Sequence, residues 1–288
     1  MAVPELGKIK IIPDFFNYEL AIGNSITIGG SVSGGAVAQI SSGSSIYNML
    51  DHRATNTTSF DTNTGAGTIT ALSSGSSTGR WLCYVKGENS NTNWELSIYN
   101  ASAQNIENVY NSTISSSTLG SATSGTPDVF VVRTTSASTT AKGIAITDDF
   151  GGGVQFTSDA ELGICHLGLE YEMPSNATAA LSYNTKHFNK VNKSIGGQSY
   201  STLYNTKSQR TIKASWEYVN WTTGSSGIDD WTTMMNTCFG SHVPVLIQLS
   251  QDGSIDDDYF MFARITSWNQ TQMSPSLWKI SAIFDEFI

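Results

Sequence analysis

Basic residues are scarce: 15 Lys and Arg stand against 24 Asp and Glu, and charged residues make up only 14% of the 288 positions. With a pI near 4.8, the chain offers few cations to track phosphates, which argues against a nucleic-acid partner. Long apolar runs are missing too. None approaches the roughly 20 residues that cross a bilayer, so no membrane insertion is expected. The opening Met-Ala-Val-Pro-Glu-Leu-Gly-Lys has no basic region leading into an apolar core. No signal peptide is therefore expected, and synthesis is expected in a host cytoplasm. Cysteine is limited to Cys83, Cys165 and Cys238, an odd number, far apart and without a CxxC. Neither a disulfide framework nor a zinc site is expected from that spacing, and their apolar neighbours suit small buried thiols.

Chemistry-bearing motifs are equally sparse. His52, His166, His187 and His242 show no HExxH spacing and no adjacent acidic motif, and no Walker A loop or GxGxxG is present. His166 lies inside an apolar stretch and reads as a satisfied core residue. Gly75-Ser76-Ser77-Thr78-Gly79 matches GxSxG, but that motif needs a strand before the serine and a helix after it. Here Arg80 to Val85 reads as a strand, so the segment reads as a loop. Asp252, Asp256, Asp257 and Asp258 crowd one polar tip without the spacing of a calcium loop, and Asp148 to Gly153 reads as a tight turn. No catalytic, cofactor or metal residue is assigned, ligand-binding residues stay unknown, and the chain is expected not to be an enzyme.

What fills the text instead is Ser, Thr, Asn and Gly between short apolar runs, the pattern of an all-β chain with long polar loops. The organising stretch is Leu162 to Pro174. Ile164 to Tyr171 has strand length, Pro174 stops it, and Ser175 to Ala180 follows as a small polar linker. Residues 1–174 hold 7 basic against 15 acidic residues; residues 175–288 hold 8 against 9. Five of the seven tryptophans come after the linker. The chain thus divides at a hinge into domains 1–174 and 175–288. In the first, Lys8–Ile12, Ala21–Ile28, Thr68–Leu72, Trp81–Lys86, Trp94–Tyr99, Val129–Arg133 and Gly143–Ile146 read as strands, with 111–127 a low-complexity excursion. That spacing implies a jelly roll or sandwich.

The passage Tyr47-Asn48-Met49-Leu50-Asp51-His52-Arg53, followed by Thr58-Ser59-Phe60, resembles the discoidin (coagulation factor 5/8 C-type) jelly roll. In that family an Asn-Leu-Leu-Asp-like stretch precedes a loop with an aromatic residue, often Trp where Phe60 stands. Gly143-Ile144-Ala145-Ile146 and Leu167 to Glu172 resemble its closing strands. The same features are similar to jelly-roll modules of bacteriophage tail proteins, which end in a segment like Leu-Gly-x-x-Tyr-Glu-x-Pro. The resemblance covers about residues 20–174.

After the linker, Arg210 to Tyr218 alternates, with Ile212, Ala214, Trp216 and Tyr218 on one face. Ile228 to Phe239 predicts the one helix, with Ile228, Trp231, Met234, Met235 and Cys238 as an apolar stripe. Ser226 and Asp229 suit its start, and Gly240 suits its end. Val243–Leu249, Tyr259–Ile265 and Trp278–Phe284 complete a small β-sandwich-like domain with one α-helix. The element order over 181–288 resembles the tube or distal-tail domain of phage tails.

The fold class is therefore mainly β. These resemblances imply a non-enzymatic structural component of a tailed-phage virion, in the tail, baseplate or adaptor region. Its partners would be further copies in a ring or collar and other virion proteins. The alternative is a carbohydrate-binding adhesin that recognises a host glycan, with loop aromatics such as Tyr110 or Trp221 for stacking. The stripe of Trp231, Met234 and Met235 suits either a partner or the helix's own sheet, and the sheet is the simpler reading.

Overall fold

Alternating apolar and polar residues bury one side of a strand, and here that pattern builds antiparallel sheets throughout. The computed structural model describes residues 6–28, 39–52, 56–61, 68–88, 93–100, 106–107, 114–115, 127–134, 139–148, 160–173, 177, 182–187, 189–193, 199–203, 208–220, 228–250 and 260–286. The chain begins β1 (Leu6–Pro13), α1 (Phe15–Ala21), β2 (Ile26–Ile28), β3 (Gln39–Ile40) and α2 (Ile46–Leu50). Next come β4 (Thr58–Asp61), β5 (Thr68–Gly79), β6 (Trp81–Glu88), β7 (Asn93–Asn100), β8 (Ile106–Glu107) and β9 (Ile114–Ser115). β10 (Pro127–Arg133), β11 (Thr139–Asp148), β12 (Ala160–Leu169), β13 (Tyr171–Glu172) and β14 (Ser182–Lys186) follow. The rest is β15 (Asn189–Lys193), β16 (Ser199–Leu203), β17 (Gln209–Asn220), α3 (Ile228–Thr237), β18 (Val245–Ser250), β19 (Phe260–Ser274) and β20 (Leu277–Glu286). The mainly-β expectation holds.

A five-stranded sheet, β10-β6-β12-β4-β3, faces a six-stranded one, β2-β5-β11-β7-β8. Between them Phe60, Val85, Cys165 and Leu167 meet Ile69, Ala71, Ile98 and Ile144 in one buried cluster, the signature of a sandwich. A seven-stranded sheet, β13-β1-β18-β19-β20-β17-β14, carries α3 on one face. Trp231, Met234 and Met235 of that helix, with Cys238 just after it, are buried in one cluster with Trp216, Ile280 and Phe284, so the apolar stripe is covered by its own sheet. Phe239 and Gly240, at φ 46 and 70, end the helix in left-handed geometry.

The seven-stranded sheet crosses the division at residue 174 through β1, and β13 joins it from the same side of that division. β1, the first strand of the chain, pairs with β18 (Ile11↔Ile247), and β13 pairs with β1 (Ile11↔Tyr171). The reason lies in the side chains: Ile9 and Ile11 belong to the core under α3, whereas Ile12 points into a third cluster with Leu82, Tyr84, Leu246 and Phe260. The organising stretch does run out of one sheet, and through β13 it enters the next beside β1. Pro174 and most of 175–180 lie outside the described residues.

Three helices, not one, are present among the described residues. α1 and α2, of 7 and 5 residues, are too short to show a helical period, and their caps decide them. Asp14 accepts from the Asn17 backbone N–H and Ser45 from that of Tyr47. The GxSxG segment is the end of β5, paired with β11, rather than a loop. Tyr218 also departs from expectation. A bulge lies between Trp216 and Val219, Tyr218 sits at φ 62 and is 64% exposed, and Val219 takes the inward place.

Gly168 in β12 marks a close approach of the sandwich to β1. A Cβ there would lie 2.1 Å from the Pro13 carbonyl oxygen, which is backbone and cannot step aside cheaply. Gly168→Ala should therefore destabilise the chain by on the order of 2 kcal/mol, read as a lowered urea midpoint. An unchanged midpoint would mean that the two strands are not held this close.

Candidate functional site

Asp14, His52 and His166 are the described residues whose chemistry converges. Asp14 follows β1 and caps α1, His52 follows α2, and His166 lies in β12. Their exposures are 0%, 6% and 0%. The Asp14 carboxylate accepts from the Asn17 backbone N–H at 3.1 Å on Oδ1 and from the Asn17 amide at 3.0 Å on Oδ2. The same amide donates to the Leu50 carbonyl at 3.0 Å, tying the end of α2 to the cap of α1. His52 Nε2 lies 2.8 Å from Asp14 Oδ2 and 3.2 Å from His166 Nδ1. His166 Nδ1 lies 3.5 Å from the same carboxylate oxygen.

The protons can be placed from the partners. His166 Nε2 sits 3.0 Å from the Ile12 carbonyl, which only accepts, so Nε2 carries a hydrogen and donates. In the neutral ring Nδ1 is then an acceptor facing His52 Nε2–H. His52 itself stands at φ 60, a left-handed backbone that is uncommon for a residue with a Cβ. That turn delivers its ring to Asp14. Phe262 of β19 closes the far side, with ring centroids 5.2 Å from His52 and 5.7 Å from His166.

Burial pushes the Asp14 carboxyl up, but His166 and His52 outweigh it and hold the group well below the usual carboxylate range. Burial pushes His166 down, and the opposing pull of Asp14 does not restore it. The one oxygen and two nitrogens lie within 4.8 Å of one another, so the set can also hold a metal ion.

A second polar cluster stands beside the first. Glu170, its side chain 1% exposed, meets Arg133 Nε at 2.6 Å and Lys10 Nζ at 3.1 Å. Arg133 also donates to Gln248 of β18. The pair of clusters thus links β1, β10, β12 and β18.

The residues singled out in the sequence fare differently. His52 and His166, unpaired by spacing, come together, while His187 and His242 are exposed. The cluster leaves no pattern in the sequence because Asp14, His52 and His166 are dispersed along the chain. A buried Asp before a short aromatic helix is the only local signal, and it reads first as a cap. Gly75 keeps its place because Glu19 Oε2 would lie 1.9 Å from a Cβ there. Glu19 is itself held by Ser73 and Asn24, so this part of the GxSxG segment serves packing. All three cysteines are buried free thiols, and burial pushes Cys238 up to about 12. Tyr110, Trp221, the Asp252–Asp258 tip and the turn after Asp148 lie outside the described residues.

Acid should loosen this junction. A group whose folded pKa is depressed leaves the unfolded chain as the better proton acceptor, so stability falls with pH. For His166 the loss begins as pH drops through about 6.5; for Asp14 it begins near 4. With a chelator present, the urea midpoint should fall between about pH 7.5 and about pH 5, and less so in His166→Gln. Asp14→Asn should cost on the order of 3 kcal/mol at neutral pH, because it removes the charge both histidines face. A flat profile, or a wild-type midpoint in Asp14→Asn, would contradict this account.

Compared with known proteins, the chain matches no protein-family model and no curated sequence.

Proposed function

We propose that the chain is a non-enzymatic structural component of a tailed-phage virion, in the tail, baseplate or adaptor region, and that it assembles through repeated protein–protein contacts in a ring or collar. The virion assignment rests on the resemblance of residues 20–174 and 181–288 to tail modules. The assembly assignment rests on the edge of β19.

β18 covers β19 only from Phe260 to Ala263. From Arg264 onward β20 pairs along one side, and no strand pairs along the other among the described residues. Such an edge is a template for a further strand, and proteins ordinarily blunt it with charge or proline. Thr266 to Ser274 contains neither. Bulges after Ile265 and Gln272 bracket it, leaving Ser267 to Gln272 in regular register. Trp268 and Met273 are 45% and 47% exposed along this strand. An uncharged edge with exposed apolar side chains suits strand addition by another protein. It belongs to the nearly neutral part of the chain, so copies brought together there repel little, while the acidic part faces outward.

The test is the mass of the full chain by light scattering, with negative-stain microscopy of any large species. Wild type should form higher-order particles, and Trp268→Lys with Thr271→Lys should shift the population toward monomer without changing the far-ultraviolet circular dichroism. A wild type that stays monomeric at about 100 μM, far above the Kd of an ordinary stable assembly, would overturn the reading. If that monomer bound a glycan array, the adhesin alternative would take its place.

A further inference from the structure

A tetrahedral zinc-type ion with bonds of about 2.0–2.1 Å sets its ligand atoms about 3.3 Å apart. Asp14 Oδ2, His52 Nε2 and His166 Nδ1 form a triangle with edges of 2.8, 3.2 and 3.5 Å, which bracket that spacing. All three atoms belong to side chains that are almost wholly buried. Each ligand is also oriented from behind, as metal ligands usually are. The Ile12 carbonyl takes the hydrogen on His166 Nε2 and so turns the bare Nδ1 toward the triangle. The Asn17 backbone and amide hold both oxygens of Asp14. His52 keeps a left-handed backbone that places its ring.

Charge points the same way. A carboxylate removed from water needs a cation, and the described ion pairs of Asp14 are with these two imidazoles, not with a lysine or arginine. In the metal-free arrangement a single His52 Nε2–H faces two acceptors, Asp14 Oδ2 and His166 Nδ1. A cation in its place would meet all three atoms at once, with the ring hydrogen of His52 carried on Nδ1 so that Nε2 presents its lone pair. Two imidazole nitrogens and one carboxylate oxygen suit a borderline transition ion and not calcium or magnesium, which want more oxygens.

We propose that Asp14, His52 and His166 bind one divalent transition-metal ion of the zinc class. The ion is a structural clamp: it joins β1 of the seven-stranded sheet to β12 of the sandwich and to the turn after α2. With three protein ligands, the remaining position falls to water.

Chelator-stripped full-length chain would be titrated with Co2+, followed by visible absorption, and then competed with Zn2+. One ion per chain should bind, and Zn2+ should raise Tm by several degrees. His166→Gln retains a nitrogen for the Ile12 carbonyl but presents no donor to the triangle. It should weaken Co2+ binding by at least about a hundredfold, since loss of a supporting partner alone costs roughly 10–100-fold. His52→Asn, whose new side chain tolerates the left-handed backbone, should do the same and serves if His166→Gln fails to fold. The exposed pair His187→Gln and His242→Gln should bind as wild type does. Absence of stoichiometric Co2+ binding by wild type would overturn the proposal. So would undiminished binding in the two buried-site variants, or loss of binding in the exposed pair.

Discussion

One buried carboxylate holds the junction of this protein together. Asp14 lies where β1 ends and α1 begins, so its backbone is committed to the seven-stranded sheet while its side chain caps a helix packed on the sandwich. A cap alone contributes about 1 kcal/mol. What makes Asp14 central is that both histidines and Asn17 converge on it, each from a different element. An ionised group without water is costly unless every lone pair finds a partner, and these three residues supply the partners. Moving any one of them strands the others.

That dependence explains why the first strand of the chain sits where it does. β1 is shared property: Ile9 and Ile11 fill the core under α3, Ile12 fills the layer with Tyr84 and Phe260, and the Ile12 carbonyl anchors His166. Its main partner, β18, arrives more than two hundred residues later. Pairings of such separation form slowly because a long loop must close before any contact offsets its entropy. The seven-stranded sheet therefore cannot be complete until the last strands have been made. The sandwich, whose own strands lie between Ile26 and Leu169, carries no such delay.

How much of this was legible in the sequence follows from which signals are local. The α3 stripe, its Gly240 ending and the alternation of Ile212, Ala214 and Trp216 were all readable, because each is a period within one element. The short helices were not, since 7 and 5 residues hardly exceed one turn and their caps look like loop residues. Tyr218 misled because a bulge shifts the alternation by one residue, and a bulge leaves no mark on composition. The sheet to which β1 belongs was hidden for a different reason. An apolar strand states that it is buried but not against what. The Asp14 cluster was hidden most deeply, as its three residues share no spacing and each has an ordinary local explanation. Only the fold puts a cap, a turn residue and a strand histidine at one point.

The junction also bears on β19, whose far edge beyond Ala263 has no pairing strand among the described residues. β19 contributes Phe260 and Phe262 to the layer against Tyr84, and Phe262 packs on both His52 and His166. A few residues further along the same strand, the uncharged edge from Thr266 begins. Displacing the sandwich from the seven-stranded sheet would therefore pull Phe262 off His52 and His166 and strain the contacts of Glu170 with Arg133 and Lys10. Leaving buried charges unpaired costs about 3–5 kcal/mol in each case, well above the worth of an exposed contact. The division of the chain into two halves is thus real in composition but not in mechanics. The acidic sandwich meets the sheet that contains β19 along β1 and at one polar joint, where Glu170 reaches both Lys10 of β1 and Arg133 of β10.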